Sequence, residues 1–202
     1  MGRLQGKNIL VIIPKDYYNE EELNPCLELF RREEPTGLLI ASPKLKEAVG
    51  LRNGRIMPDV LLVDAVEGVM GDSYVTTSGR GTRQVKGVFH GVVVIGGRGT
   101  KKYLWNDRIL RIILNDRLRA GAVVAAIGLG VPSLGVAEVI DSAEVSAPDD
   151  AEGLTAIEKA NASTVEAELT ICGQIITARS AVAAKEFAEA VVEAVRRTDI
   201  RK

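Results

Sequence analysis

Apolar residues along the chain gather in short unbroken runs separated by amphipathic stretches. Residues 8–13 read Asn-Ile-Leu-Val-Ile-Ile, residues 89–95 Phe-His-Gly-Val-Val-Val-Ile and residues 122–127 Ala-Val-Val-Ala-Ala-Ile. Runs of this length, bounded by Gly or Pro, suit strands buried on both faces. Residues 36–42, centred on Leu38-Leu39-Ile40, and residues 59–64 add two more expected strands. The stretches between them follow a helical period. Leu23, Leu27 and Phe30 share one face of a helix that runs to about residue 34. Two starts fit it: Asn19 with Glu22 three residues later, a capping box, or Asn24 followed by Pro25. Leu104, Ile109, Ile112, Ile113 and Leu118 stripe a second helix over 103–120, with Arg108, Arg111 and Arg119 on its wet face. Residues 149–159 and the Ala-rich 181–197 read as two more helices.

The remaining segments are polar or mixed. Residues 44–58, with Gly50 and Gly54, predict a short helix and a turn. Residues 66–77 predict a hairpin arm or an edge strand, and the Gly-rich, basic 78–86 an exposed loop. Residues 143–146 predict a short extended piece. Residues 163–177 predict a hairpin closed near Cys172-Gly173-Gln174, and 198–202 a charged, frayed tail. Strand and helix alternate over 8–137. That order predicts an α/β fold: a three-layer sandwich in one domain over 1–202, with a mostly parallel, flavodoxin-like sheet between helices on both faces. Ligands of such sheets sit beyond the carboxyl ends of the strands. Residues 14–22, 96–100 and 128–130 meet there.

Residues 121–135 carry the strongest local signal. An apolar strand runs into Gly128-Leu129-Gly130 and then into a helix with Pro132 in its first turn. Strand, tight turn and helix make a nucleophile elbow, which lifts one side chain to the top of a parallel sheet. Here the tip is glycine, so no nucleophile is displayed.

Composition narrows the functional classes. The chain is 46% hydrophobic, with 26 Lys and Arg against 27 Asp and Glu, and a net charge of −1. No global field draws it to nucleic acid or to anionic lipid. Two cysteines, Cys26 and Cys172, make neither a disulfide framework nor a metal-ligand spacing, and no cofactor is expected. No run reaches the ~18 apolar residues of a membrane span, and the first residues lack a signal peptide's apolar stretch. A soluble, cytoplasmic protein is expected.

Four motifs follow one another along the chain: Glu22-Leu23 at the first helix, Val94-Ile95-Gly96-Gly97-Arg98 after a strand, Ala125-Ala126-Ile127 before the elbow, and Ile171 through Arg179 as a late hairpin. Taken in order, they resemble the ThiJ/PfpI family, whose fold is class I glutamine amidotransferase-like. The resemblance spans 8 to about 195. It also marks departures. The family pattern at the elbow is Ala-Ile-Cys-His-Gly, whereas this chain reads Ala126-Ile127-Gly128-Leu129-Gly130. Gly128 stands where the family's nucleophilic cysteine stands, and Leu129 replaces its histidine. A strand that often begins Tyr-Asp-Ala here begins Phe89-His90-Gly91. The resemblance further implies Glu22 as the acidic partner, Arg98 at the site, and a homo-oligomer, in the first place a dimer.

These residues predict a pocket rather than a covalent catalyst. The backbone N–H groups of Gly97 and Leu129 form an oxyanion-type site that binds a small anion or a carbonyl compound without an adduct. The expected ligand-binding set is Glu22, Gly97, Arg98, Gly128 and Leu129. Two alternatives stand beside that reading. One is an enzyme in which Glu22 itself acts on water or a carbonyl, as a hydratase, lyase or glyoxalase-like catalyst. The other is a self-assembling or partner-binding subunit. Cys26, four residues after Glu22, reads as core packing, with a relocated nucleophile as the alternative. Cys172, at a hairpin turn, is not expected to be catalytic. His90 sits at the amino end of its strand, six residues at ~3.3 Å each, or about 20 Å, from the site. Asp16, Tyr17 and Tyr18 read as loop decoration at the mouth. Gly79-Arg80-Gly81-Thr82 recurs as Gly97-Arg98-Gly99-Thr100. The pair reads as a coincidence of two turns, the alternative being a pair of cationic anion-holding loops.

Overall fold

A computed structural model describes residues 2–66, 68–77 and 80–199. The apolar runs become the centre of a seven-stranded sheet. Strand β1 (Asn8–Ile12) is buried at every position. It feeds α1 (Glu20–Arg32), which starts at the first of the two expected caps: the Asn19 side chain accepts from the N–H of Glu21, and Pro25 lies inside the helix. Strand β2 (Gly37–Ser42) returns parallel to β1.

Residues 44–58 form no helix. Two short strands, β3 (Ala48–Val49) and β4 (Arg55–Ile56), pair across a turn instead. Gly50 N–H donates to Gly54 O at 2.7 Å, and Asn53 takes a positive φ of 62°. Such a turn is closed by local backbone bonds and needs no helical period. The strand expected over 59–64 is also shorter. Only β5 (Val60–Leu61) pairs, with Ala41 and Ser42. The next residues form α2 (Leu62–Ala65), whose Leu62 and Ala65, three apart, both drop into the core.

The hairpin arm expected over 66–77 is present as β6 (Val69–Thr77), but 80–87 is not a loop. It forms β7 (Arg80–Gly87), antiparallel to β6 in a two-stranded sheet of its own. Pairing satisfies its backbone where the Gly-rich sequence suggested solvent. Ser78 and Gly79 lie outside the described residues.

Strand β8 (Gly91–Val94) is followed by two helices rather than one, α3 (Arg98–Tyr103) and α4 (Arg108–Arg119). The single helix expected over 103–120 is broken by Asp107. Its carboxylate accepts from Ile109 N–H (2.8 Å) and Leu110 N–H (2.9 Å), an N-cap that starts a new helix. Strand β9 (Val123–Ile127) then enters one 3-10 turn over Gly128–Gly130 and α5 (Val131–Val136), with Pro132 in the first turn.

Strand β10 (Glu144–Val145) pairs in parallel with β11 (Ser163–Thr164) across α6 (Ala151–Lys159). The late hairpin is therefore shorter than 163–177. It comprises β12 (Leu169–Cys172) and β13 (Ile175–Ala178), which close around Gly173 at φ +62°. The last helix is α7 (Ala184–Arg197), after a 3-10 turn over Ala181–Ala183. Of the tail expected to fray, residues 200–202 lie outside the described residues.

The sheet order is β12-β13-β9-β8-β1-β2-β5, parallel except at β12. Alternate residues of each inner strand feed opposite layers. Ile9, Val11, Val93, Ile95, Ala125 and Ile127 pack under α1 and α7 with Phe30, Phe187 and Val191. Leu10, Ile12, Val92, Val94, Val124 and Ala126 pack against Leu110, Leu114, Leu134 and Ile157. This two-sided burial produces the three-layer sandwich. Removing one large side chain from it, such as Phe187, costs on the order of 3–5 kcal/mol.

Candidate functional site

The carboxyl ends of β1, β8, β9 and β13 open into one cleft of about 410 Å³. Its floor carries Asn19, Glu22, Gly97, Gly128 and Leu129, drawn from the turns that leave those strands and from the start of α1. The sequence-predicted residues Glu22, Gly97, Arg98, Gly128 and Leu129 are thus brought together.

Glu22 is the chemical centre of the floor. It lies on the first turn of α1 and is only 4% exposed. Its Oε2 accepts from Gly96 N–H at 2.9 Å, and its Oε1 accepts from the Asn19 side-chain amide at 2.9 Å. Asn19 therefore does two tasks: it caps α1 and fixes the carboxyl group. Burial pushes the Glu22 acid up to about 7, against the bonds from Asn19 and Gly96, which favour the ionised form. That places its proton exchange in the neutral range.

The elbow is built as the sequence predicts, and glycine suits its shape. Gly128 holds φ +56°, in the left-handed region. A Cβ added there would overlap Glu22 Oε1. The carboxyl group thus fills the space that a side chain at the tip would need. Gly97, at φ +120°, faces the same kind of limit, since a Cβ there would overlap Tyr17 O. A Cβ on Gly96 would come within 2.7 Å of Leu129 N and 2.6 Å of Glu22 Oε2, so these groups crowd one small volume. Trp105, in the break before α4, donates from Nε1 to Leu129 O at 2.7 Å and pins the elbow from behind.

Arg98 is exposed and lies with its guanidinium 5.0 Å from the Tyr17 ring centre, a cation–π contact. Among the described residues it pairs with no carboxylate. Asp16, Tyr17 and Tyr18 do other work than lining the cleft. Asp16 accepts from Val49 N–H at 3.3 Å, Tyr17 carries the stack under Arg98, and Tyr18 is buried in the core.

Seven lining residues were not in the expected set, among them Leu51, Pro148, Arg179 and Val182. Arg179 follows Ala178 at the end of β13, whose parallel pairing with β9 brings it to the site. Its guanidinium donates to Ala147 O (3.2 Å) and Val165 O (3.4 Å), holding two loops at the rim. The late hairpin motif was the signal for it. For Leu51 and Val182 no sequence signal exists, because their positions depend on turns formed far from the elbow in sequence.

The other candidates fall elsewhere. Cys26 is fully buried among the residues beneath α1 and α7. Burial, and then the neighbouring Glu22 charge, push its thiol well above the usual range. Cys172 sits at the β12 turn, half-buried. His90 lies before β8, where its Nδ1 accepts from Asn8 N–H at 3.1 Å. The two Gly-Arg-Gly-Thr copies share no conformation: Arg80-Gly81-Thr82 lies on β7, whereas Arg98-Gly99-Thr100 opens α3. Neither is a loop, so the idea of paired cationic loops fails on geometry. Among the described residues no three His, Cys, Asp or Glu side chains gather as a metal site. No helix among them is long and apolar enough to cross a membrane.

Comparison with known proteins agrees with this architecture. The model of the DJ-1/PfpI family matches residues 7–194. An uncharacterized protein of Methanocaldococcus jannaschii is 27% identical over 196 residues, covering 96% of this chain and 84% of that relative. A ThiJ/PfpI domain protein from Brachyspira murdochii superposes with a TM-score of 0.75 at 23% identity, over 93% of this chain and 95% of that one. DJ-1beta of Drosophila melanogaster gives a TM-score of 0.73 at 22% identity, over 97% and 91%.

Proposed function

The chain belongs to the DJ-1/PfpI family, and from that premise we propose that it is a member without thiol chemistry, whose cleft binds a small anion or carbonyl compound and forms no bond to it. One observation carries this reading. The elbow tip is Gly128, and the Glu22 carboxyl group occupies the space a nucleophilic side chain would need. By the family resemblance, Gly128 and Leu129 stand at the Cys-His pair. The other thiol near Glu22, Cys26, is sealed in the core with its ionisation suppressed. A sulfur nucleophile needs the thiolate and access, and Cys26 has neither.

In this reading the ligand's oxygen lies against the backbone N–H groups of Gly97 and Leu129, with Arg98 at the mouth as counter-charge. Glu22 donates its proton to that oxygen below pH 7. Above pH 7 the ionised carboxylate repels an anion, so anion affinity falls as pH rises through about 7. The same reading keeps the protein in the cytoplasm, as a dimer.

A second reading is favoured by one feature: an acid poised near neutral pH is suited to general acid–base catalysis. Glu22 then works on water or a carbonyl substrate without a covalent intermediate. Turnover of methylglyoxal by the purified protein, beside Cys26→Ser and Glu22→Gln, separates the two. The expected result is no turnover above buffer, with acetate or phosphate raising the melting temperature. Turnover lost in Glu22→Gln alone overturns the binding reading in favour of carboxylate chemistry. Turnover lost in Cys26→Ser assigns the reaction to a thiol one helical turn away. Light scattering tests the dimer, and a monomeric mass rejects it.

A further inference from the structure

The cleft has a polar floor and an apolar rim, and the rim is a built feature. Exposed large apolar side chains among the described residues are few, and their placement is uneven. Tyr17, Leu45, Leu51, Met57, Val63 and Val182 all lie on connections that leave the carboxyl ends of β1, β2, β5 and β13. Ile112 and Ile171 lie elsewhere. Scattered exposed apolar residues need no explanation, but apolar groups held at the mouth of a cleft mark a contact site.

Two of these residues line the cleft itself, and both are held in place. Val182 is 86% exposed, the highest of the set. It is carried by Ser180, whose Oγ accepts from Val182 N–H (3.3 Å) and donates to Glu168 Oε2 (3.0 Å). Leu51 N–H donates to Tyr18 O at 3.0 Å. Its turn is clamped by Glu20, whose Oε1 accepts from Arg52 N–H (2.8 Å) and Gly54 N–H (3.0 Å). Pro148 and Ala181 continue the apolar wall. Polar networks therefore fix apolar groups in solvent around a cleft whose other end offers Arg98 and the Glu22 acid. A small polar anion would use the floor and leave this rim wet.

We propose that the ligand is a monocarboxylate with an apolar chain of several carbons, its head against Arg98 and the elbow and its chain between Leu51 and Val182. The inference rests on the binding reading above and names the ligand class for that site. Charge complementarity selects the head, since the Arg98 guanidinium has no carboxylate partner among the described residues and is already oriented by Tyr17. The volume of about 410 Å³ falls within the ~300–1,000 Å³ of small-molecule sites.

The test is calorimetric titration of the full chain at pH 6 with acetate, butanoate, hexanoate and octanoate, and with octanamide as the uncharged control. Each methylene buried should tighten binding about fourfold, the equivalent of ~0.8 kcal/mol. Octanoate should exceed octanamide by tenfold or more. The doubly substituted Leu51→Ser, Val182→Ser protein should lose the chain-length gain and keep its affinity for acetate. Both side chains are exposed, so an unchanged melting temperature verifies that the variant folds. A flat series with acetate bound overturns this inference and leaves the binding reading standing. Octanamide binding as tightly as octanoate removes the carboxylate head and overturns it as well. A dimer that dissociates on Val182→Asp, with no octanoate bound by the parent, assigns the rim to a second copy and rejects the ligand. Turnover lost in Glu22→Gln rejects the binding reading itself.

Discussion

At Gly128 a change of one residue tests why the elbow is bare. Its φ of +56° costs a residue with a Cβ about 1 kcal/mol. The added Cβ must also displace a carboxyl group held by Gly96 and Asn19. Gly128→Cys is therefore expected to destabilise by roughly 2 kcal/mol, which lowers the melting temperature by about 4–8 °C in a domain of this size. Gly128→Ala should fall equally, because backbone and Cβ carry the cost and sulfur does not. An unchanged or higher melting temperature in both variants would show that the tip tolerates a side chain and that neither its φ nor the Glu22 carboxyl group excludes one. Part of this was legible beforehand. The capping-box spacing from Asn19 to Glu22 put the carboxyl at the head of α1, and the strand-turn-helix pattern put Gly128 at the tip. The shift of Glu22 was not legible, because it comes from burial under β8 and β9, with Gly96 seventy-four residues away. The spacing of Glu22 and Cys26 likewise showed a shared face. Only the packing of α7 over α1 closes that face to solvent around Cys26.

Elements defined by their own residues were read correctly, and elements defined by contacts were not. Strands β1, β2, β8 and β9 are continuous apolar runs, α1 and α6 carry both period and side-chain caps, and α7 carries a strong period. The first helix ends at Tyr103, Trp105 in the break bonds the elbow at Leu129 O, and Asp107 starts a new helix after it. The β3–β4 turn depends even more on a distant partner. Its amides at Arg52 and Gly54 are satisfied by Glu20, more than thirty residues earlier. Burial raises the Glu20 acid, but the backbone N–H groups of Glu20, Arg52, Gly54 and Leu51 outweigh it and hold the group below its usual range. A Cβ on Gly50 would overlap Glu20 Oε1, so this turn needs a glycine at the clamp. Glu20→Ala should leave both amides without acceptors, at a cost on the order of 1–3 kcal/mol. Hydrogen exchange at Arg52 and Gly54 should then rise by tenfold or more while the amides of α7 stay protected. Unchanged exchange at those two amides would mean that the turn holds itself, and that Leu51 is not positioned through Glu20.

Across the whole molecule, two carboxyl groups at opposite ends of α1 tilt stability in opposite directions with pH. Glu33, just past the carboxyl end of the helix, meets Arg3, which also reaches Glu189 and Glu193 on α7 and so joins the first residues to both helices. The side-chain and backbone hydrogen bonds from Arg3 hold the Glu33 acid down to about 2. Its contribution is complete above about 4.5, the unfolded value, and is lost as pH falls from there through 2. Glu22 is the reverse case. Its folded value near 7 lies above the same unfolded value, so folding favours its protonated form. That stability is complete below about 4.5 and is lost as pH rises through 7, up to roughly 3 kcal/mol for a group this well buried. The two variants separate the limbs. Glu22→Gln cannot ionise, so its melting temperature should gain several degrees on the parent between pH 4.5 and 8 and then run parallel to it. Arg3→Ala should lose a few degrees at pH 7, less in high salt, and converge with the parent as pH falls toward 2, where the carboxylates it served take up protons. Melting curves of the parent and both variants over pH 2–9 read both limbs together. A Glu22→Gln curve parallel to the parent across pH 4.5–8 would mean that Glu22 ionises normally in the fold, and the proton-dependent anion binding assigned to the cleft would lose its physical basis.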